Sequence, residues 1–482
     1  MPNKKATQKK SYTYLYGTKG KDDLTVSAKK HVEVFAYAGN DTITVTKGTG
    51  HKIYAGVGKD KITVKTGTSV DVYGDLSKSN SNTTKGGNDT ITVNGGKSFY
   101  IYGGIGNDVI TVKKGTNFQI YGEAGTDTIK VYGGSGHKIY GDYANSDFRL
   151  KSQKKDNIYI YGGTFTEIDG GGGGDKITVS KKAKGSTKEY DKAAIDGGAG
   201  GDTITVSAGT NYEIYGDVGA DKITLKNSKS SAEVSGDNGK DTINVSKSNN
   251  TQIDGGSGND TITVTGGTDN VIKDQEGNNT INVTSHKSSG GYKTITCSSG
   301  SDTITLTNCN GCKVDPGGGA NKITINGGQN NKIDYGSLDY KGDDIIDIKG
   351  GTGHVVKSCY GGTINVSGSG TTCDITIWEG DGSATLQAGS KTTLTFWEYN
   401  SGKFTINADR GALTGDLITF LYESSSEFKF GHDGSDLILT GKDGTGSLRI
   451  NNFTNGAIAY IKFSDANTPM TYDTIKNKAW LS

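Results

Sequence analysis

Short bursts of alternating apolar and polar residues recur along this chain at a nearly fixed spacing. In the stretch Ile101 to Val131, a Gly-rich turn ends in Asp108 and Val109 to Val112 follow. A Lys-Gly-Thr-Asn turn comes next, then Gln119-Ile120-Tyr121 and a second Gly-rich turn ending in Asp127. The residue two after the acid is Ile (Ile43, Ile62, Ile91, Ile110), and the residue four after it is Val, Ile or Leu. Alternation with period two marks a short β-strand with one buried face. A second inward column, Ile53, Val72, Ile101, Ile120, Ile139, Ile168, Ile195, Ile214, Val234 and Ile253, predicts a second strand per unit.

Aligned on the acid, the units begin at Asp41, Asp60, Asp89, Asp108, Asp127, Asp156, Asp175, Asp202, Asp221, Asp241, Asp260, Asn279, Asp302 and Asn321. Nine of the thirteen intervals are 19 or 20 residues. A fixed period of this size signals a solenoid. The expected fold is all-β, a parallel β-solenoid of about 19 residues per coil, followed by a small C-terminal β domain. The expected organisation is a tail over 1–11, the solenoid over 12–350, degenerate coils over 351–415 and a C-terminal β cap over 416–482. Insertions between Gly74 and Gly86, Gly141 and Asp156, and Lys181 and Ala193 read as surface loops.

The turns carry the candidate chemistry. Glycine stands two residues before the acid in every unit except that of Asp156, where it is Lys154. A second glycine four before completes G-x-G-x-D at Asp60, Asp108, Asp175, Asp202 and Asp260. Glycines let the backbone curl so that its carbonyls converge, and carbonyls with carboxylates suit a hard cation such as Ca²⁺. Stacked turns set each Asp roughly 5 Å from the next, where uncompensated charges repel and an ion between coils would tie them together. The expected ligands are Asp41, Asp60, Asp89, Asp108, Asp127, Asp175, Asp202, Asp221, Asp241, Asp260 and Asp302, with Gly56, Gly58, Gly104, Gly106, Gly198, Gly200, Gly256 and Gly258. Asn279 and Asn321 lack the charge and Asp156 lacks its glycine, so those sites are expected to be weak or empty.

These residues resemble the RTX family, whose nonapeptide G-G-x-G-x-D-x-U-x binds Ca²⁺ in a parallel β-roll. Gly103 to Thr111, Gly197 to Thr205 and Gly255 to Thr263 match it at every defined position. Asp436 to Thr474 is similar to the domain that often follows such repeats in haemolysin-type calcium-binding proteins. The resemblance implies type I export through an uncleaved C-terminal signal near Tyr472 to Ser482, and folding on calcium outside the cell. Family arrays carry the acid at both edges of each coil. Here the second edge reads Lys114-Gly-Thr-Asn117, so one row of ions is expected.

Composition narrows the partners. The 53 basic and 52 acidic residues nearly cancel, giving no field for nucleic acid. No apolar run approaches the roughly 18 residues of a membrane span. Cys297, Cys309, Cys312, Cys359 and Cys373 are too few and too local for a disulfide framework; a zinc site is weighed against a buried thiol or one local disulfide. The six histidines read as scattered, and no catalytic motif is visible. The expected function is therefore a secreted, non-enzymatic structural protein of a surface layer, filament or matrix, self-associating head-to-tail or laterally. The alternative is an adhesin or polysaccharide binder using the outward tyrosines. An ice-binding Thr face such as Thr42/Thr44 and a non-catalytic part of a polysaccharide-modifying enzyme are weaker readings.

Overall fold

The structure is a computed structural model that describes residues 13–75, 86–142, 154–185, 192–229, 231–289, 293–335, 343–359, 362–378, 380–397, 402–408, 417–444, 446–455, 458 and 460–480. The N-terminal tail and most of the three insertions lie outside them. The fold is a parallel β-solenoid of about 18 turns with ~19 residues per turn, 55% strand and 3% helix. By internal contacts it forms two units, Met1–Asp241 and Thr242–Ser482.

In the first unit each coil places one strand in each of two sheets. After the acid come strands such as Thr42–Val45, Lys61–Val64, Thr90–Val93 and Val109–Val112. They pair in parallel, Ile43 on Ile62, Ile62 on Ile91 and Ile91 on Ile110. Before the Gly turn come Lys52–Tyr54, Asp71–Tyr73, Tyr100–Ile105 and Gln119–Ala124, with Ile53 on Val72, Val72 on Ile101 and Ile101 on Ile120. The inward residues of both sheets, including Ile110, Val112, Ile101 and Ile120, are fully buried. Each fully buried Ile or Val contributes about 1.5–3 kcal/mol of transfer free energy, so the apolar alternation is what closes the coil.

Outside the second sheet, Phe35, Tyr54, Tyr73, Tyr102, Tyr121 and Tyr140 form a continuous ring stack, with successive centroids 4.8–5.0 Å apart. Stacking follows from register, since each ring sits one strand spacing above its neighbour.

The second unit repeats the pattern. Ile262 lies on Ile281, Ile281 on Ile304 and Ile304 on Ile323. Parallel pairing continues through 351–408, for instance Ile364 on Ala384 and Ala384 on Ile406. Antiparallel pairing enters at Phe428–Asp433, Asp436–Gly441 and Gly446–Asn451. The last of these strands also pairs in parallel with Gly402–Ala408, so the cap grows directly out of the solenoid sheet. The segment expected to hold an export signal contains a helix, α1 (Tyr472–Trp480), whose Ile475 is buried and whose Trp480 stacks on His432.

Replacing Ile110 by Ala should lower the stability of the chain by about 2–5 kcal/mol. Thr111→Ala, on the outward side of the same strand, should change it by about 0.5 kcal/mol or less. Denaturant midpoints followed by circular dichroism check the contrast.

Candidate functional site

Where the chain leaves the Gly turn, the backbone N–H of the acidic residue has no strand partner, and the next coil supplies one. The Asp41 N–H donates to Asp60 Oδ1 at 2.7 Å, Asp60 to Asp89 at 2.8 Å, Asp89 to Asp108 at 2.6 Å and Asp108 to Asp127 at 2.7 Å. The series continues through Asp156, Asp175, Asp202 and Asp221 to Asp241, at 2.5–2.7 Å. It also includes Asp22, whose N–H donates to Asp41. In the second unit the corresponding ladder runs Asp260, Asn279, Asp302, Asn321 and Asp344. From Asp41 to Asn321 these side chains are at most 2% exposed.

Asp156 is a full member despite Lys154, and so are Asn279 and Asn321, because the hydrogen bond needs only an Oδ1. Asp22 and Asp344 were missed at the sequence level. Both carry the signal, Gly20-Lys21-Asp22 with Leu24 and Val26 after it and Gly342-Asp343-Asp344 with Ile346 and Ile348 after it, so the same alignment could have been extended by one unit at each end.

The second oxygen sets Asp apart from Asn. The Asn279 Nδ2 donates to the carbonyls of Gly277 at 3.2 Å and Glu276 at 3.5 Å. In an Asp coil the corresponding atom is an anionic oxygen. The Oδ2 atoms of Asp41, Asp60, Asp89, Asp108, Asp127, Asp156, Asp175, Asp202 and Asp221 are buried with no hydrogen-bond partner.

The Oδ2 is turned toward the glycine five before the acid at Gly17, Gly103, Gly122, Gly170, Gly197, Gly216 and Gly255, and toward Gly74 and Gly141 where an insertion precedes Asp89 and Asp156. A Cβ built on Gly103 would lie 2.6 Å from Asp108 Oδ2 and 2.6 Å from the Gly122 carbonyl of the next coil. On Gly122 it would meet Asp127 Oδ2 at 2.6 Å and Gly141 O at 2.5 Å, and on Gly170, Asp175 Oδ2 at 2.6 Å and Gly197 O at 2.4 Å. In each cradle the two nearest atoms are oxygens, one from a carboxylate and one from a carbonyl.

The glycines singled out by sequence lie beside the cradle. Gly56, Gly58, Gly104, Gly106, Gly198, Gly200, Gly256 and Gly258 all have φ between +94° and +150°. Gly106 shows why no side chain fits, since a Cβ there would sit 1.9 Å from the Gly87 carbonyl of the preceding coil. This column is required by coil stacking itself.

Burial drives the ladder acids upward. The Asp60 and Asp202 carboxyls are pushed to about 6, Asp108 and Asp221 to about 7, Asp127 and Asp175 to about 8, and Asp89 and Asp156 to about 9. The hydrogen bond from the preceding coil opposes the shift in each case, and at most of these positions neighbouring carboxylates add to it. Such a column can settle by holding protons or by holding cations between carboxylate and carbonyl oxygens. Among the described residues no three His, Cys, Asp or Glu side chains gather around one metal position.

The opposite corner solves the same backbone problem with neutral side chains. The Val32 N–H donates to His51 Nδ1 at 3.0 Å, and His51 Nε2 faces the Lys47 carbonyl at 3.2 Å. His137 repeats this between Phe118 N and Gly133 O. In the second unit Asn270, His286, Asn331 and His354 take the role. Four of the six histidines that read as scattered therefore take one structural role. Burial lowers the pKa of all four, His137 to about 4.

The cysteines divide between the corners. Cys297 faces Asp302 at the acidic one, and burial together with that charge raises its thiol pKa. Cys309 and Cys312 lie at the other, with Cys312 Sγ 3.6 Å from His286 Nδ1. Cys297, Cys309, Cys312 and Cys373 are buried free thiols; the side chain of Cys359 is outside the described residues. A zinc site joining Cys297 to the Cys309–Cys312 pair is incompatible with this division.

Compared with protein-family models the chain matches none, and no curated protein is significantly similar to it.

Two outcomes test the corners. A carboxyl whose pKa is raised by folding stabilises below its unfolded value near 3.8 and loses that contribution as pH rises through its folded value. In chelator the melting temperature should therefore fall from about pH 5 to about pH 9. There Asp108→Asn, which keeps the Oδ1 bond, should melt higher than wild type at alkaline pH, whereas Asp108→Ala, which strands the Asp89 N–H, should lose about 1–3 kcal/mol at every pH. For His137 the sign reverses, because a lowered base stabilises above its unfolded value of 6.5 and loses that contribution toward about 4. His137→Asn should flatten the acid limb of the same thermal profile.

Proposed function

We propose that this chain is a secreted, calcium-stabilised β-solenoid with a structural role at or outside the cell surface, in a layer, filament or matrix. The observation that carries the reading is the column of buried Oδ2 atoms, each without a hydrogen-bond donor, with those from Asp89 to Asp221 beside a backbone carbonyl of the next coil. Asp41, Asp60, Asp89, Asp108, Asp127, Asp156, Asp175, Asp202 and Asp221 would hold the ions, with the carbonyls of Gly103, Gly122, Gly141, Gly197 and their equivalents as neutral ligands. An all-oxygen donor set fits Ca²⁺, and the motif-level resemblance of the turns to the RTX repeat agrees with it. Ions bound only by the folded coil would make binding energy into folding energy.

Calcium is scarce in the cytosol and abundant outside, which gives the fold a reason to form after export. No helix among the described residues is long and apolar enough to cross a membrane. Repetitive solenoids are typically structural and not catalytic, and self-association of coils, end to end or side by side, would extend the same architecture.

The competing readings gain less from the geometry. A sugar platform needs free aromatic faces, and the rings from Tyr54 to Tyr121 spend theirs on one another. A flat Thr face for ice is broken where Thr111 is followed in register by Lys130 and Tyr159.

Purified chain examined by circular dichroism, light scattering and electron microscopy should melt at a much lower temperature in chelator, and form more stable, β-rich filaments or sheets at about millimolar Ca²⁺. A chain equally stable in both conditions would sink the calcium reading. A calcium-folded monomer that does not assemble would sink self-assembly, and a glycan screen would follow.

A further inference from the structure

The coil of Asn279 breaks the pattern in two places at once. Its ladder residue is neutral, and the place that Gly103, Gly122, Gly170, Gly197, Gly216 and Gly255 hold in other coils is taken by Asp274. Asp274 is 2% exposed and neither of its carboxylate oxygens has a hydrogen-bond partner. The adjacent Gln275 N–H is directed to the Gly256 carbonyl instead, at 3.3 Å.

Asp274 points into the cradle of the preceding coil. A Cβ built on Gly255 would lie 2.6 Å from Asp274 Oδ2 and 2.9 Å from Asp260 Oδ2. At Gly103 the same two directions are filled by one carboxylate and one neutral carbonyl. The Gly255 cradle therefore has two carboxylates converging on it from successive coils. Asn279 needs no ion of its own, since its Nδ2 already donates to Gly277 O. The charge absent from the ladder has been moved five residues back. Asp254 stands outside this pair, with its own oxygens taken by Gly256 N at 3.2 Å and Gln275 Nε2 at 3.0 Å.

We propose that Asp260 and Asp274 form a two-carboxylate site for a divalent cation, the tightest in the second unit, in which Asp274 supplies the charge that Asn279 lacks. This rests on the reading of the acidic corner as a Ca²⁺ column. Two buried anions on one cradle bind a divalent ion more strongly than one anion and a carbonyl, and repel each other more strongly without it.

The test is calcium titration by calorimetry, with melting curves, on the full chain as wild type, Asp274→Asn and Asp274→Gly, the last restoring an ordinary cradle. Circular dichroism controls for folding. Wild type should show one class of site filled at the lowest free Ca²⁺. Both variants should lose it or weaken it by about tenfold or more. Asp274→Asn should also melt higher than wild type in chelator and lower in Ca²⁺, a crossing that a packing role would not produce. If wild type binds Ca²⁺ but the variants bind as many ions equally tightly, or melt lower by the same amount in both conditions, the Asp260–Asp274 site is wrong and the column stands. If wild type binds no Ca²⁺ at any site, the column itself is wrong, and this site with it. A melting difference that appears only above neutral pH and ignores Ca²⁺ would mean that the two acids share a proton, which also overturns the proposal.

Discussion

Parallel, in-register stacking governs everything else in this molecule. Each coil lays a residue over its counterpart at the strand spacing of about 4.8 Å, so whatever a position holds is repeated against itself. For Ile and Val that repetition is a continuous core, and for Tyr54 to Tyr140 it is a ring stack. For charge it is repulsion, and the chain handles this differently inside and out. On the surface, opposite charges are placed in neighbouring coils, as Lys138 beside Glu167 and Lys192 between Glu213 and Glu233. Such exposed pairs are worth little individually, and they offset like charges that stack in register, such as Glu213 on Glu233. At the buried corner the acids remain aligned.

Both corners answer one backbone requirement. The N–H that opens each strand is out of reach of the sheet ladder, and leaving it unpaired in the interior costs about 1–3 kcal/mol. At the acidic corner the side chain at the same position of the next coil accepts it, and at the far corner a His or Asn of the next coil does so in some coils only. Asp and Asn do this beside the Gly turn, and His and Asn do it at the far side. A position that reaches one coil forward locks the register, because a slip by one residue would strand the donors of every coil it touched.

The solenoid was legible because apolar period, acid and glycine all repeat in the same frame. The second corner was not. Its positions hold Val32, His51, Val70, Phe99, Phe118 and His137 in turn, residues that share a volume and a location but no chemistry a sequence comparison would align. Phe99 and Phe118 fill the space by stacking where His51 and His137 fill it by hydrogen bonding. The cradle was half legible. The glycine five before the acid was visible as the first of a pair, yet its role depends on a carbonyl from the next coil, which no local spacing reveals. Asp156 was set aside for lacking a neighbouring glycine, although its ladder contacts never involve that glycine.

Hydrogen bonding alone does not account for the charge. Asn279 and Asn321 accept from the neighbouring backbone at 2.8 and 2.9 Å, as well as the aspartates do. An all-Asn corner would satisfy the same N–H groups, and the amide could donate to the turn carbonyls as Asn279 does. It would avoid a column of buried like charges. Substituting Asn for Asp is among the smallest changes in side-chain shape, so steric fit does not favour the acid. What Asp offers and Asn lacks is a second anionic oxygen, and in this corner that oxygen and a carbonyl oxygen of the next coil approach the same point. A positively charged occupant is the physical condition under which that arrangement becomes favourable. The exchange at Asp274 and Asn279 points the same way, since in that coil the ladder gives up its charge and the cradle regains it.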